Sequence, residues 1–176
     1  MTLRFAFASA VLLCACRPQT QVGSALPSGL ATVRTVDGVV LGDLTLRSTG
    51  TGVRITGTLS SVPAGVHGIH VHAVGKCEPS AFSTAGSHLN PTNAHHGLEN
   101  PAGPHAGDLP NISVGSDGRV DVDLTDPRVT LDASAAGGLF DTDGSAIVIH
   151  AAADDQKTDP AGNSGARIAC GVIERR

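Results

Sequence analysis

From about residue 30 onward the chain alternates apolar and polar residues in short runs, and each run is closed by a turn signal. "LATVRTV" (30–36) leads to Asp37-Gly38, "VLGDLTLR" (40–47) to "STGTG", and "VRITGTLS" (53–60) to Pro63. "VHGIHVHAV" (66–74) completes a first set. "NISV" (111–114), "RVDVDL" (119–124), "SAIVIHA" (145–151) and "ARIACGVI" (166–173) form a second. Alternation places every second side chain on one face of an extended strand. No amphipathic helix fits between the runs, so the pattern predicts an antiparallel sandwich or barrel. The 22 glycines and 10 prolines suit such a turn-rich fold. There is no Trp or Tyr, and two of the four Phe residues, Phe5 and Phe7, precede the first strand. The core must therefore be built from Val, Ile, Leu and Ala. A chain of 176 residues suits one domain, and a net charge of −4 gives no footing for nucleic acid.

The start of the chain is of a different kind. "MTLRFAFASAVLLCAC" carries one early cation, Arg4, and an apolar run over 5–13 that is too short to span a bilayer. Residues 1–15 read as a secretory signal peptide. Leu13, Ala15 and Cys16 resemble a bacterial lipobox, with Cys16 as the lipidated residue; Cys14 is atypical for that box. Residues 16–29, "CRPQTQVGSALPSG", read as a polar tether between a lipid anchor in the membrane and the domain at 30–176. Removal of Arg4 with the leader takes the net charge from −4 to −5. Export places the protein in an oxidising compartment. With Cys16 acylated, Cys77 and Cys170 form a natural disulfide pair.

"GIHVHAVGKC" (68–77) puts His70 and His72 on the same face of a strand. His88, His95, His96 and His105, with Asp108 just after them, fall in a long irregular stretch at about 75–110. His150 ends the strand before a second irregular stretch, 151–165. Long loops without secondary structure in a compact domain are usually functional. Imidazoles gathered there, with one carboxylate and no cluster of cysteines, point to zinc or copper. Spacing alone leaves open how many ions there are and which residue serves which.

Six stretches carry a specific resemblance: "GVHGIHVHAVGKC", "AGSHLNP", "HHG", "PHAGDLPN", "IVIHAAADD" and "GNSGARIACGVI". Together they resemble the copper/zinc superoxide dismutases of the bacterial secreted type, over about residues 31–173. The resemblance implies an eight-stranded antiparallel Greek-key β-barrel, an Ig-like sandwich, with two long loops forming the metal site. It implies copper on His70, His72, His88 and His150, and zinc on His88, His96, His105 and Asp108, with His88 bridging the two. The steps of eight and nine residues from His88 to His96 to His105 match the family and select His96 over His95. Asp154 resembles the carboxylate that hydrogen-bonds one histidine of each site. Cys77 and Cys170 resemble the family disulfide, and Arg167 the arginine that guides substrate.

The implied reaction is dismutation of superoxide anion to dioxygen and hydrogen peroxide. Copper would cycle between its two redox states while His88 releases it, takes a proton and delivers that proton. Arg167 would steer the anion, helped by Lys157 or Lys76. A non-catalytic copper/zinc-binding envelope lipoprotein is the competing reading. The protein would work as a monomer or homodimer, protecting the cell envelope. His67 is expected to be structural, His95 to be exposed, and Asp155, Lys157 and Asp159 to form a solvated loop face.

Overall fold

The computed structural model describes Met1 and residues 28–176. The expected signal peptide, Cys16 and nearly all of the tether lie outside the described residues. Ser28 and Gly29, assigned above to the tether, already pair with the second strand.

The described residues form nine strands: β1 (Ser28–Thr35), β2 (Val40–Thr49), β3 (Gly52–Leu59), β4 (Gly65–His67), β5 (Ile69–His72), β6 (Ile112–Val114), β7 (Val120–Asp126), β8 (Ala146–His150) and β9 (Arg167–Arg175). Seven form one antiparallel sheet in the order β5-β8-β9-β1-β2-β3-β7, and β4 pairs with β6. The run "VHGIHVHAV", expected as one strand, is two. Gly68 breaks it, because its amide bonds the Ala152 carbonyl (2.9 Å) and its carbonyl accepts from the His150 amide (2.9 Å). The chain thus leaves β6 and joins β8 at that residue. A Cβ at Gly68 would sit 3.1 Å from Ser164 Cβ and 3.2 Å from the His70 ring, so the break lies where backbone must pass close. Counted as one bent strand, β4 and β5 restore the eight expected. They also close the barrel: β5 at one sheet edge runs back into β4, which pairs β6, which turns into β7 at the other edge.

Alternation builds the core. Ala31, Val33, Leu44, Leu46, Val53, Ile55, Ile69, Val71, Ile147 and Ile149 point inward and are fully buried. Each large aliphatic side chain removed from water stabilises by about 1.5–3 kcal/mol. On β1, β2, β3 and β7 the opposite face is polar and pairs across strands, as Arg54 does with Asp123 (2.7 and 2.6 Å).

β5 and β8 depart from this rule, since both faces are buried. Their outer face lies under the two long irregular segments. Phe82 and Ala85 from the first segment pack there with Ala146, Val148 and Cys170. The same segment hydrogen-bonds along the free edge of β5: the Val71 amide to Gly107 O and the Leu89 amide to Val71 O, each 2.9 Å. The Cys77–Cys170 disulfide, with Cα atoms 5.7 Å apart, fastens it to β9. The covered outer wall, away from the barrel interior, is where the histidines meet.

Candidate metal centre

With Ile69 and Val71 in the core, His70 and His72 must stand on the outer face of β5. Antiparallel pairing of β5 with β8 carries His150 alongside, and a register irregularity between Ile149 and His150 sets it opposite Arg167. His88 forms an isolated bridge to His72, and Asp108 one to His70, so the loop reaches the site by extending the sheet edge.

His70, His72, His88 and His150 each offer one ligand atom within 4.8 Å of the other three. One nitrogen of each ring is already engaged. His70 Nε2 meets Asp154 Oδ2 (2.7 Å), His72 Nδ1 the Gly86 carbonyl (2.9 Å), His150 Nδ1 the Gly165 carbonyl (3.1 Å) and His88 Nδ1 Asp108 Oδ1 (2.9 Å). The other nitrogen of each, His70 Nδ1, His72 Nε2, His88 Nε2 and His150 Nε2, is buried without a partner. An unmet buried polar group costs about 1–3 kcal/mol, and four in one place call for a cation. Burial pushes His70 down to about 3, His72 to about 2 and His150 to about 4, in each case with help from the neighbouring rings. At neutral pH these imidazoles are uncharged and present lone pairs.

The second group is His88, His96, His105 and Asp108. Asp108 Oδ1 lies 2.9 Å from His88 Nδ1, 2.9 Å from His96 Nδ1 and 3.3 Å from His105 Nδ1. A tetrahedral zinc site with arms of 2.0–2.1 Å has ligand–ligand edges of about 3.3 Å, so the four atoms fit one zinc with small adjustments. Asp108 Oδ2 is held by the amides of Gly97 (2.8 Å) and His105 (2.9 Å). Burial opposes ionisation of Asp108, yet hydrogen bonds from His88, His96 and Gly97 hold its carboxyl far below the usual range. His96 is the counterpart: burial opposes its charge, but Asp108 and Asp154 outweigh burial and raise it to about 9. His88 belongs to both groups, with Nδ1 in one and Nε2 aimed at the other.

Asp154 joins the groups a second time. Its Oδ2 meets His70 Nε2 (2.7 Å), its Oδ1 meets His96 Nε2 (3.0 Å), and the Gln156 amide donates to Oδ1 (2.6 Å). Asn111 grips its backbone twice, Nδ2 to Asp154 O (2.8 Å) and Oδ1 from the Asp154 amide (2.9 Å). Gly162, at φ 60°, passes so close that a Cβ there would overlap Asp154 Oδ1. Asn111, Gln156 and Gly162 are supports that sequence reading missed. Only the glycine could have drawn notice, and only after the loop path was known.

Arg167 opens β9 and is half-buried. Its Nη1 donates to Phe82 O and its Nη2 to Gly86 O, both at 2.6 Å, and Gly86 O also meets His72 Nδ1. Among the described residues no carboxylate pairs with it. Burial lowers its pKa from the ordinary arginine value, but guanidinium stays charged. The disulfide holds the Phe82–Gly86 segment that supplies both carbonyls.

His96 enters the cluster, while the His95 side chain is 62% exposed. His67 is buried, its ring nitrogens 2.8 and 2.9 Å from the carbonyls of His150 and Pro63, and it joins neither group. Lys157 pairs with Glu99 at 2.8 Å, which weakens it as a steering charge. Asp159 is more than a solvated loop residue: its Oδ1 accepts the His96 amide at 2.6 Å and lies 3.8 Å from His105 Nε2.

Fold and site define the class: an antiparallel β-barrel with two adjoining candidate metal sites on its outer wall, sharing one imidazole. The family model for copper/zinc superoxide dismutase matches residues 40–173. "Superoxide dismutase [Cu-Zn] 1" of Aquifex aeolicus is 46% identical over 138 residues, 78% of this chain and 82% of that protein. The crystal structure of a SOD-like protein from Bacillus subtilis superposes with a TM-score of 0.80 at 39% identity, covering 82% of this chain and 97% of that one. Cu/Zn superoxide dismutase from Brucella abortus gives 0.69 at 27% identity, over 84% and 99%. The chain belongs to the copper/zinc superoxide dismutase family.

Proposed function

We propose that this protein is an extracytoplasmic superoxide dismutase, with copper held by His70, His72, His88 and His150 and zinc by His88, His96, His105 and Asp108. One observation carries the reading: four buried imidazole nitrogens without partners converge on one point, and one of those rings turns its other nitrogen into a second four-ligand group. Bound copper would supply the one-electron couple that oxidises one superoxide to dioxygen and reduces the next to peroxide, and zinc would hold Nδ1 of His88.

The chain's own residues do the rest. Arg167, fixed by two carbonyls, offers a positive charge beside His72 that attracts the anion and orients it. His88 Nε2, when free, holds a proton and passes it to the anion being reduced. Asp154 and the Gly86 and Gly165 carbonyls fix the orientation of His70, His72 and His150, so that these three rings would keep their places between half-reactions. The disulfide supports an oxidising compartment. With the signal at 1–15 and a lipid on Cys16, the enzyme would protect the envelope from superoxide arising outside the cytoplasm.

The test is superoxide removal by metal-loaded protein, with copper and zinc counted per chain. One of each with fast turnover is the expected result. Full loading without turnover would instead fit a metal-binding envelope lipoprotein. Radiolabelled fatty acid retained by the wild type and lost in Cys16→Ala is the expected outcome for the anchor.

A further inference from the structure

Every side-chain contact of Asp108 described above comes from within its own loop. Oδ1 faces His88, His96 and His105, and Oδ2 accepts the amides of Gly97 and His105. Those bonds fix the ligands relative to one another and would move with the loop. The bridge that sets Asp108 opposite His70 on β5 runs through its neighbour, the Gly107 carbonyl accepting from the Val71 amide. Among hydrogen bonds made to Asp108 itself, one comes from elsewhere: Arg128 Nη2 donates to its main-chain carbonyl at 2.6 Å.

Arg128 follows β7, the sheet edge opposite β5. It is aimed by Asp126, the last residue of β7, whose side chain is fully buried. Asp126 Oδ1 accepts from the Arg128 amide at 3.0 Å and forms an ion pair with Nη2, also at 3.0 Å. Nη2 thus lies between two oxygens, paired by charge with the one on β7 and donating to the one on Asp108. This triad reaches the carboxylate ligand from the barrel and leaves the ligand atoms untouched.

We infer that Arg128, oriented by Asp126, is a positioning residue that references the zinc ligand Asp108 to the barrel wall and so sets the affinity of the zinc site. The inference rests on the zinc assignment proposed above. Hydrogen-bonded supports behind metal ligands change affinity about 10- to 100-fold when removed. The alternative role is purely structural, with Arg128 only neutralising the buried Asp126 carboxylate. The two roles separate in a background where that charge is gone.

The experiment compares wild type, Arg128→Met, Arg128→Lys, Asp126→Asn and the double variant Asp126→Asn/Arg128→Met. Zinc and copper affinities are measured by competition with a chromogenic chelator. The cobalt(II) spectrum at the zinc position reports ligand geometry, and chemical denaturation of the metal-free forms reports folding. The expected result is a 10- to 100-fold loss of zinc affinity in Arg128→Met and in the double variant relative to Asp126→Asn, an altered cobalt spectrum, and unchanged copper affinity. Arg128→Lys should recover part, since an ammonium still donates to one carbonyl. A double variant that binds zinc as tightly as Asp126→Asn, with the wild-type cobalt spectrum, overturns the inference. So does a loss shared equally by both metals and matched by lower metal-free stability. Wild type that fails to bind zinc or cobalt, or that binds it unchanged in His96→Ala, overturns the zinc assignment and the inference together.

Discussion

Acidification of the metal-free protein should begin to destabilise it near pH 6.5, well above the range in which ordinary carboxylates protonate. His70, His72 and His150 are held near 3, 2 and 4 by burial, against 6.5 in an unfolded chain. A depressed histidine contributes stability that is present above pH 6.5 and is lost as pH falls, because the unfolded state then binds protons the folded state refuses. Asp126 works the other way. Burial raises it to about 6 from 3.8, so between these values the folded state holds one extra proton. Three histidines against one carboxyl leave about two protons in favour of the unfolded state between pH 5 and 4, and His105, which burial also lowers, adds to the same side. Each proton is worth about 1.4 kcal/mol per pH unit, so stability should fall by about 3 kcal/mol per unit there. That slope exhausts a typical domain stability of about 5–15 kcal/mol within a few units. On the alkaline side His96, raised to about 9, contributes stability that is present below 6.5 and fades as pH rises towards 9. The metal-free protein should therefore be most stable near pH 6.5. Zinc on His96 Nδ1 should remove the alkaline decline, since that nitrogen no longer holds a proton. Denaturant titrations from pH 4 to 9, with and without zinc, measure both limbs. A metal-free stability that is flat or rising from pH 6 to 4.5 would refute the argument that these rings are buried neutral.

Other outcomes follow from the same geometry. Arg167→Ala should lower the bimolecular rate with superoxide about tenfold, within the range of electrostatic steering, with both metals bound, and Arg167→Lys should keep part of it. Pulse radiolysis across ionic strength checks this, and a fully metallated Arg167→Ala protein with unchanged rate at low salt would rule out steering. Cys77→Ser should cost about 2–5 kcal/mol in denaturant titrations and slow turnover as well, because the bond holds the segment whose carbonyls fix Arg167. Gly162→Ala should push Asp154 aside and weaken both metals in chelator competition; loss at one metal alone would contradict its double contact. His88→Ala should perturb the copper spectrum and zinc retention together, and a response at one site alone would contradict the bridge.

The strands were legible because side-chain direction in an extended chain is a local property with a period of two. Residues such as Ile69, His70, Val71 and His72 declare their faces without reference to anything distant. The break at Gly68 was not legible, because it depends on which strand lies alongside, and β8 is some eighty residues away. The membership of the ligand groups was implied by the family resemblance alone, and the geometry gathers the same residues. The choice of His96 over His95 rested on family spacing, and only the folded loop shows the one buried and the other facing solvent.

What the sequence by itself determined is therefore of two kinds. It set the alternation that makes a barrel of aliphatic residues, and it supplied the ligand chemistry: imidazoles, one carboxylate, two cysteines and an arginine. Tertiary structure alone decided how that chemistry is held. Asp154 meets His70 across 84 residues, Arg167 meets Phe82 across 85, and Arg128 reaches the Asp108 carbonyl from the far sheet edge. Those contacts follow from barrel closure and from loop paths over the outer wall. Both are set by the packing of the whole chain, and no local pattern of residues encodes a hydrogen bond between segments that meet only when the barrel closes.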